Sequence, residues 1–306
     1  MRHSLFLCLG LVLFLVINTR AEVSPEVFLR QHVEKLSTDF SPRSYRDQKN
    51  LNEAADYILR ELIKAGAKVE VQPFVANRQT YRNIIGRFGP REGPIRIVGA
   101  HYDAAEGTPG ADDNASGVAG LLELARKLGK LETPPRVQLV AYTLEEPPFF
   151  GTQSMGSYIH AKSMKDQKQE VEWMISLEMI GYFSDQRGSQ TYPIPGMGKM
   201  YPDTGNFIAV ISRLDQVEIT KKIHSLMKSA TDLPVEFLNA PEKLPGVAFS
   251  DHRNYWPFGI PAVMVTDTAF MRNREYHAEG DTADRLDYKK MAKVVEGVFK
   301  ALLHKP

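Results

Sequence analysis

The sequence predicts an α/β fold in which a mixed, mostly parallel sheet is flanked by helices. Short apolar stretches with strand character alternate along the chain with longer segments in which apolar residues recur at helical spacing. Titratable residues follow several predicted strands directly, which is typical of sheets that bind ligands at the carboxyl ends of parallel strands. Of the 306 residues, 43% are hydrophobic and 25% are charged, so the chain has enough apolar material for a large core.

Two amphipathic helices begin the predicted order of elements. Apolar residues recur at helical spacing over residues 25–37 and 48–66, and the second helix is expected to end at Gly66 because glycine commonly terminates helices. Strands then alternate with helices along the chain. Strands are predicted at 81–88, 95–100, 136–144 and 172–179, with helices over 117–131 and around 153–164.

The second half of the chain continues this alternation. Strands are predicted at 207–212 and 261–267, with a helix near 214–230 between them. A closing helix is expected from about Arg285 to Leu303, preceded by the candidate caps Asp281 and Asp284.

One domain accounts for this pattern. Residues 185–205 are rich in Gly, Pro, Ser and Tyr and are predicted to form a long surface loop. Neither a linker nor a repeat interrupts the alternation of strands and helices. Residues 22–306 are therefore predicted to form a single domain.

The first 21 residues have the character of a secretory signal peptide. Arg2 and His3 precede an apolar run from Leu5 to Ile17, and small residues follow near Ala21. The run of 13 residues is shorter than the ~18 that a membrane span requires, so no stable span is expected. We therefore expect export through this segment to the periplasm or the extracellular space.

The mature chain is expected to lack both disulfides and a polyanionic partner. The single cysteine, Cys8, lies within the predicted signal peptide. Without Arg2 and Arg20 the chain has 36 basic and 37 acidic residues, a net charge of −1. This balance gives no indication of nucleic-acid binding.

Histidines and carboxylates follow four of the predicted strands. The residues are His101 and Asp103, then Glu145 and Glu146, then Glu178, and finally His277. Because the strands are predicted to be parallel, these side chains are expected at one edge of the sheet, where Asp112 and Asp113 also precede a helix. Two histidines among several carboxylates form a donor set suited to zinc, with cobalt or manganese as alternatives.

The number of donors indicates two metal ions. A carboxylate can bridge two cations, each completed by one histidine and one further carboxylate. Asp112 is predicted to be this bridge. His101 and Glu178 are then assigned to one ion, and Glu146 and His277 to the other.

Glu145 is predicted to be the general base. Adjacent residues at a strand end point in different directions, so Glu145 can face the cleft when Glu146 faces a metal. In that position its carboxylate accepts a proton from the water that the site activates.

Six short motifs together resemble metallopeptidase family 28, the co-catalytic two-zinc aminopeptidases. The motifs are HYD (101–103), GADDNASG (110–117), LEE (144–146), SLEMIG (176–181), SDH (250–252) and YHAEGDTADRLDY (276–288). The resemblance implies a zinc-exopeptidase fold of the phosphorylase/hydrolase-like type. It also implies two Zn2+ per chain and hydrolysis of the N-terminal bond of peptides that have a free N-terminus.

The resemblance implies roles for individual residues as well. It supports Asp112 as the bridge and Glu145 as the base, and it implies a cis peptide between Asp112 and Asp113. The residues expected to support the ligands from behind are Asp103, Asp113, Asp251 and His252.

Two departures from the family pattern stand out. Glu178 occupies a position where the family most often has aspartate. The longer side chain can still bind a metal, but the affinity for the second ion is left open by the sequence. The segment PPFFGTQSM lengthens the connection after Glu146. Our hypothesis is that Phe149 and Phe150 of this insertion reshape the substrate pocket.

Three other functions compete with the aminopeptidase interpretation. A glutaminyl-peptide cyclotransferase has the same fold and uses one zinc, held by the residues equivalent to Asp112, Glu146 and His277. A carboxypeptidase for acidic C-termini requires a basic pocket that the motifs lack. A non-catalytic, receptor-like relative typically lacks one or more ligands, whereas every expected ligand is present in this sequence.

Overall fold

A computed structural model describes residues 23–304 of the chain. The predicted signal peptide and Cys8 lie outside the described residues. Within residues 23–304, no helix combines the length and the apolar character needed to cross a lipid bilayer.

Eight strands and six α-helices form the architecture of residues 23–304. The helices are α1 (Pro25–Glu34), α2 (Gln48–Lys64), α3 (Gly117–Leu128), α4 (Gly156–Asp166), α5 (Val217–Lys228) and α6 (Tyr288–Leu303). The strands are β1 (Lys68–Ala76), β2 (Gln79–Phe88), β3 (Ile95–His101), β4 (Val137–Tyr142), β5 (Val171–Glu178), β6 (Ile208–Arg213), β7 (Val235–Ala240) and β8 (Ala262–Thr266).

The strands form one mixed sheet in the order β1-β2-β4-β3-β5-β8-β6-β7. Strand β3 pairs in parallel with β4 and β5, β5 pairs in parallel with β8, and β6 pairs in parallel with β7. The pairings of β1 with β2, β2 with β4, and β6 with β8 are antiparallel. The predicted α/β class with a mixed, mostly parallel sheet is therefore confirmed.

Helices cover both faces of the central strands. The main apolar cluster packs α1, α2, α3 and α6 against one face, and α4 with residues 251–258 covers the other. Every residue of β3 is buried, which explains why this strand is continuously apolar and does not alternate between apolar and polar residues.

Sequence patterns missed the two edge strands. Strand β1 is largely exposed and contains Pro73, a residue that weakens a strand prediction because it lacks a backbone N–H. Strand β7 is short and pairs only with β6. Each edge strand has a single neighbour, so the apolar pattern that marks a buried strand is weak.

The closing helix begins later than predicted and has a different cap. Helix α6 starts at Tyr288, and the side chain of Asp287 accepts a hydrogen bond from the backbone N–H of Lys290. The predicted caps Asp281 and Asp284 precede this position, and the carboxylate of Asp281 binds the backbone of the site.

A pH-dependent contribution to stability is expected from His32, which is buried between α1 and α2. Its Nδ1 lies 2.7 Å from the Tyr57 hydroxyl, and the Phe28 ring packs against it with 4.2 Å between ring centroids. Burial lowers the pKa of His32 from 6.5 to about 4. In the unfolded chain His32 binds a proton near pH 6.5, whereas in the folded chain it does so only near pH 4. Lowering the pH from 6.5 to 4 is therefore expected to reduce the free energy of unfolding by about 3 kcal/mol.

The variant His32→Asn keeps a hydrogen-bond acceptor for Tyr57 and removes the titrating ring. Urea unfolding at several pH values is expected to show a smaller loss of stability between pH 6.5 and 4 than in the native chain. Parallel stability curves for the two proteins would contradict this assignment.

Candidate metal centre

Five predicted site residues lie at one edge of the sheet. His101 ends β3, Glu178 ends β5, and Glu145 with Glu146 follows β4. His277 lies in the loop after β8, the strand that runs parallel to β5. His277 retains 31% side-chain exposure, whereas the other four residues are buried. The parallel direction of the strands thus brings these side chains together.

Asp113 lies between the two histidines. Its Oδ1 is 3.3 Å from Nε2 of His101, and its Oδ2 is 3.2 Å from Nε2 of His277. A carboxylate that offers one oxygen on each side has the geometry of a bridge between two cations.

Two groups of donors share this carboxylate. In the first, Nε2 of His101 is 3.4 Å from Oε2 of Glu178, with Asp113 as the third member. In the second, Nε2 of His277 is 3.1 Å from Oε2 of Glu146, again with Asp113. The potential ligand atoms in each group lie within 4.8 Å of one another. This spacing allows each group to hold one ion.

The structure corrects the predicted position of the bridge from Asp112 to Asp113. The Asp112 carboxylate accepts hydrogen bonds from the Gly181 N–H at 3.0 Å and from Nδ2 of Asn273 at 3.1 Å. Burial, together with the neighbouring carboxylate of Asp267, raises the pKa of Asp112 well above its usual value. Asp112 is thus engaged away from the histidines and belongs to neither donor group.

The direction of the backbone separates the two aspartates. Residues 111–116 form a short turn in which Asp113 and Asn114 have non-helical dihedral angles. The cis peptide joins Asp113 to Asn114, one position after the predicted one. Sequence alone presents Asp112 and Asp113 as equivalent neighbours, whereas the turn directs only the second of them between the histidines.

Asp281 holds this turn in place. Its two carboxylate oxygens accept the backbone N–H groups of Asp112 at 2.9 Å and Asp113 at 3.0 Å. The amide of Asn114 donates to the carbonyl of Leu177 and accepts from the N–H of Met179, next to Glu178. These contacts connect the Asp113 turn to the end of β5.

Arg43 is a supporting residue that sequence patterns did not indicate. Its guanidinium is buried and donates to the carbonyls of Tyr102, Pro109 and Gly110, which flank the His101 and Asp113 segments. Burial lowers its pKa to about 10, while the nearby carboxylates of Asp281 and Asp103 favour its charged form. Arg43 therefore fixes two ligand-bearing loops and adds positive charge behind them.

Asp103, which was predicted to support the ligands, lies beside His101. Nδ1 of His101 lies 3.1 Å from the Asp103 carbonyl and 3.6 Å from its Oδ1, which leaves Nε2 directed at the donor group. Oδ2 of Asp103 also accepts the N–H of Glu146 at 3.1 Å. Asp103 thus contacts a residue of each donor group, His101 through its backbone carbonyl and Glu146 through its carboxylate.

The SDH segment contributes unequally to the site. Asp251 is buried, and burial raises its pKa to about 7. His252 instead contacts the Val247 carbonyl through Nε2 at 2.9 Å and packs against Trp256, so it stabilises its own segment. Ser250, whose role was not predicted, donates to Oε2 of Glu178 at 2.7 Å.

The charges and the unpaired atoms of the site fit a cationic ligand. Within residues 23–304, Nε2 of His101 and Oε1 of Glu146 are buried without a hydrogen-bond partner. Burial raises the pKa of Glu146 to about 7, with Asp113 adding to the effect. Burial opposes protonation of His277, but its hydrogen bonds to Asp113 and Glu146 raise its pKa to about 10. This crowding of carboxylates around imidazole nitrogens is the donor set that zinc prefers.

A comparison with models of protein families identifies the family of this chain. The model of peptidase family M28 matches residues 83–302, a range that contains both donor groups. The chain belongs to peptidase family M28. This membership confirms the resemblance drawn from the sequence motifs, supports a hydrolase and implies zinc.

Relatives of this M28 member cover nearly its whole length. It is 48% identical over 293 residues to uncharacterized protein YfbL of Escherichia coli strain K12, covering 93% of this chain and 90% of YfbL. Among solved structures, BSAP, a zinc aminopeptidase from Bacillus subtilis, aligns with a TM-score of 0.70 and 15% identity over 90% of this chain and 94% of BSAP. A Bacteroides thetaiotaomicron glutaminyl cyclase aligns with a TM-score of 0.68 and 18% identity over 92% and 98% of the two chains. These two structures share the fold.

An apolar pocket opens beside the donor groups of this M28 member. This cavity, here called the site pocket, includes Glu178 and Tyr276 in its wall. Its remaining wall is largely apolar and includes Ile211, Met264, Phe249, Phe270 and Met271.

The two phenylalanines of the insertion lie in different environments. Phe149 is buried and packs against Tyr45 and Tyr81, with ring centroids 5.4 and 6.2 Å away. Phe150 lies 6.0 Å from Phe249, which is part of the site-pocket wall, and under the guanidinium of Arg253. Of the two residues, only Phe150 contacts an aromatic side chain of the pocket wall.

Substitution of Phe149 is expected to lower stability, whereas substitution of Phe150 is expected to change substrate preference. Phe149→Ala should lower the free energy of unfolding by about 3 kcal/mol, because it leaves a cavity among buried rings. Phe150→Ala should leave stability nearly unchanged and alter the relative kcat/KM for different N-terminal residues, because Phe249 loses its lateral support. Denaturant unfolding and a panel of aminoacyl anilides measure both effects. Identical preferences in the native chain and in Phe150→Ala would refute the pocket hypothesis.

Proposed function

We propose that this M28 member is an exported aminopeptidase that holds two zinc ions and hydrolyses the N-terminal bond of peptides with a free N-terminus. The observation that carries the proposal is the position of Asp113, whose two carboxylate oxygens each face a different histidine. A shared carboxylate between two complete donor groups is the arrangement that a two-metal hydrolase requires. Export rests on the predicted signal peptide, and the compartment is the periplasm or the extracellular space.

Two sets of side chains would hold the zinc ions. His101, Glu178 and one oxygen of Asp113 would bind the first ion, and His277, Glu146 and the other oxygen of Asp113 the second. When bound, zinc supplies a Lewis acid that acidifies water and polarises the peptide carbonyl.

Glu145 performs the proton transfers in this mechanism. Its Oε2 lies 3.9 Å from Nε2 of His101, and its carboxylate is close to both His101 and Glu146 but belongs to neither of the two donor groups that share Asp113. Burial raises its pKa well above the usual value, which suits a group that must both take and return a proton. Glu145 removes a proton from water as the oxygen attacks the first peptide carbonyl. As the C–N bond breaks, it gives this proton to the leaving amine.

The site pocket favours cleavage at a chain end. Its apolar wall adjoins Glu178 and is suited to a single apolar side chain. The proposed partner is therefore a peptide whose N-terminal side chain enters the pocket while its α-amine stays near the carboxylates of the site.

Metal analysis combined with a substrate panel tests the proposal. Elemental analysis of the purified mature chain is expected to give two zinc ions per chain. Aminoacyl anilides with a free amine should be hydrolysed, and the same compounds with an acetylated amine should not. Equal hydrolysis of free and blocked substrates, or the absence of metal after zinc is added back, would contradict the proposal.

A glutaminyl-peptide cyclotransferase is the principal alternative outcome of this test. It would show one zinc ion per chain and would cyclise an N-terminal glutamine without hydrolysing the anilides. The complete donor group of His101, Asp113 and Glu178 favours the two-metal reaction, since a one-zinc reaction has no need of it.

A further inference from the structure

A second apolar cavity adjoins the site pocket and shares part of its wall. This cavity, here called the rear cavity, lies between the sheet and the loop that precedes β6. Phe207, which precedes β6, and Ala209 of β6 form part of its wall, and Tyr192, Met197 and Tyr201 of the loop cover it. None of these five residues lines the site pocket.

Four residues line both cavities and therefore form the boundary between them. They are Ile211, Gly246, Thr268 and Met271. Gly246 leaves room for the side chain of Met271, because a Cβ atom at position 246 would lie 3.1 Å from the Met271 methyl group. Methionine is unbranched and flexible, so its side chain can change rotamer at a low energetic cost. The partition is thus made of a movable side chain next to a glycine.

We propose that the side chain of the substrate's N-terminal residue passes Met271 and enters the rear cavity when it is long, unbranched and apolar. This inference rests on the proposed aminopeptidase function. The site would then favour methionine and longer linear side chains over alanine and over β-branched residues. Each additional buried methylene is expected to raise kcat/KM about threefold to fourfold until the rear cavity is filled.

The character of the wall favours an uncharged side chain. Its lining consists mainly of aromatic and aliphatic residues, and Glu236 on the edge strand β7 is its single charged residue. Glu236 is partly exposed, so its carboxylate can remain hydrated. A lysine substrate serves to test this point, because a carboxylate that reached into the cavity would favour its ammonium group.

A homologous substrate series measures the depth of the pocket. The substrates carry alanine, norvaline, norleucine or 2-aminooctanoic acid at the N-terminus of one common anilide, with valine and lysine for comparison. In the native chain kcat/KM should rise from alanine through 2-aminooctanoic acid, and the valine and lysine compounds should remain well below norleucine. A series that reaches its maximum at norvaline, or a lysine substrate that exceeds norleucine, would overturn the proposal.

Two variants act on the rear cavity without changing a proposed metal ligand. Ala209→Leu fills the rear cavity from β6 and should reduce kcat/KM for 2-aminooctanoic acid at least tenfold while preserving that for alanine. Met271→Ala removes the side chain that lies between the two cavities. In this variant kcat/KM should continue to increase for side chains longer than that of 2-aminooctanoic acid. Met200→Ala is the matched control, since Met200 is 74% exposed and lines neither cavity.

The outcomes distinguish this inference from the proposed function. If no free-amine substrate is hydrolysed, the aminopeptidase proposal fails. If all substrates are hydrolysed and neither Ala209→Leu nor Met271→Ala changes the dependence on length, only the rear-cavity inference fails. Thermal unfolding of each variant verifies its fold, and Met271→Ala remains a decisive test if Ala209→Leu does not fold.

Discussion

Replacing Glu145 with glutamine is expected to lower kcat about 10³-fold and to leave the zinc content unchanged. Glutamine keeps the size of the side chain but cannot accept a proton from water. Because Glu145 lies outside the two donor groups that share Asp113, the ions should still bind. Anilide hydrolysis and elemental analysis of the same preparation measure both consequences.

The adjacent residue provides a matched comparison. Glu146→Gln alters a proposed ligand, whose Oε2 lies 3.1 Å from Nε2 of His277, so it should lose activity together with metal. The two neighbouring Glu→Gln variants therefore separate proton transfer from metal binding. Substantial turnover by Glu145→Gln, or a loss of zinc from it equal to that from Glu146→Gln, would refute the role assigned to Glu145.

Asparagine at position 113 is expected to remove at least one zinc ion per chain and to reduce activity by about 10³-fold or more. An amide cannot offer two anionic oxygens, and Asp113 is the residue that the group of His101 and Glu178 shares with the group of Glu146 and His277. Zinc content after extensive dialysis, measured beside anilide hydrolysis, tests the expectation.

Asp112→Asn is the control for this substitution. The Asp112 carboxyl group belongs to none of the donor groups, and an asparagine at this position can still accept the Gly181 N–H through its amide oxygen. This variant should retain both zinc ions and most of its activity. Loss of zinc from Asp112→Asn with retention by Asp113→Asn would restore the assignment made from sequence and refute the one drawn from the structure.

The sequence predicts the sheet and the region of the site well, because both follow from local patterns. Strands β3, β4, β5 and β8 are apolar, and titratable residues follow each of them. Parallel pairing then carries these residues to one edge of the sheet, whatever the details of packing. Edge strands β1 and β7 lack this strong pattern, which is why they were missed.

Residues that act through long-range contacts could not be predicted in this way. Arg43 donates to the carbonyl of Gly110, 67 positions away, and Asp281 binds the N–H of Asp112 across 169 positions. Nothing in the local sequence of Arg43 distinguishes it from a surface arginine. Ser250 belongs to a motif that was noted, but its hydrogen bond to Glu178 spans 72 positions and becomes evident only in the fold.

The sequence by itself determined the α/β class, the metal-binding chemistry of the donors and their location at one edge of the sheet. Regular strands have a fixed repeat, so a side chain's place in the pattern specifies its direction. Only the tertiary structure decided that Asp113 lies between His101 and His277, that Phe150 and not Phe149 contacts the pocket wall, and that two cavities meet at Met271. These features lie in turns and loops, where successive dihedral angles do not repeat and distant contacts set the direction of each side chain.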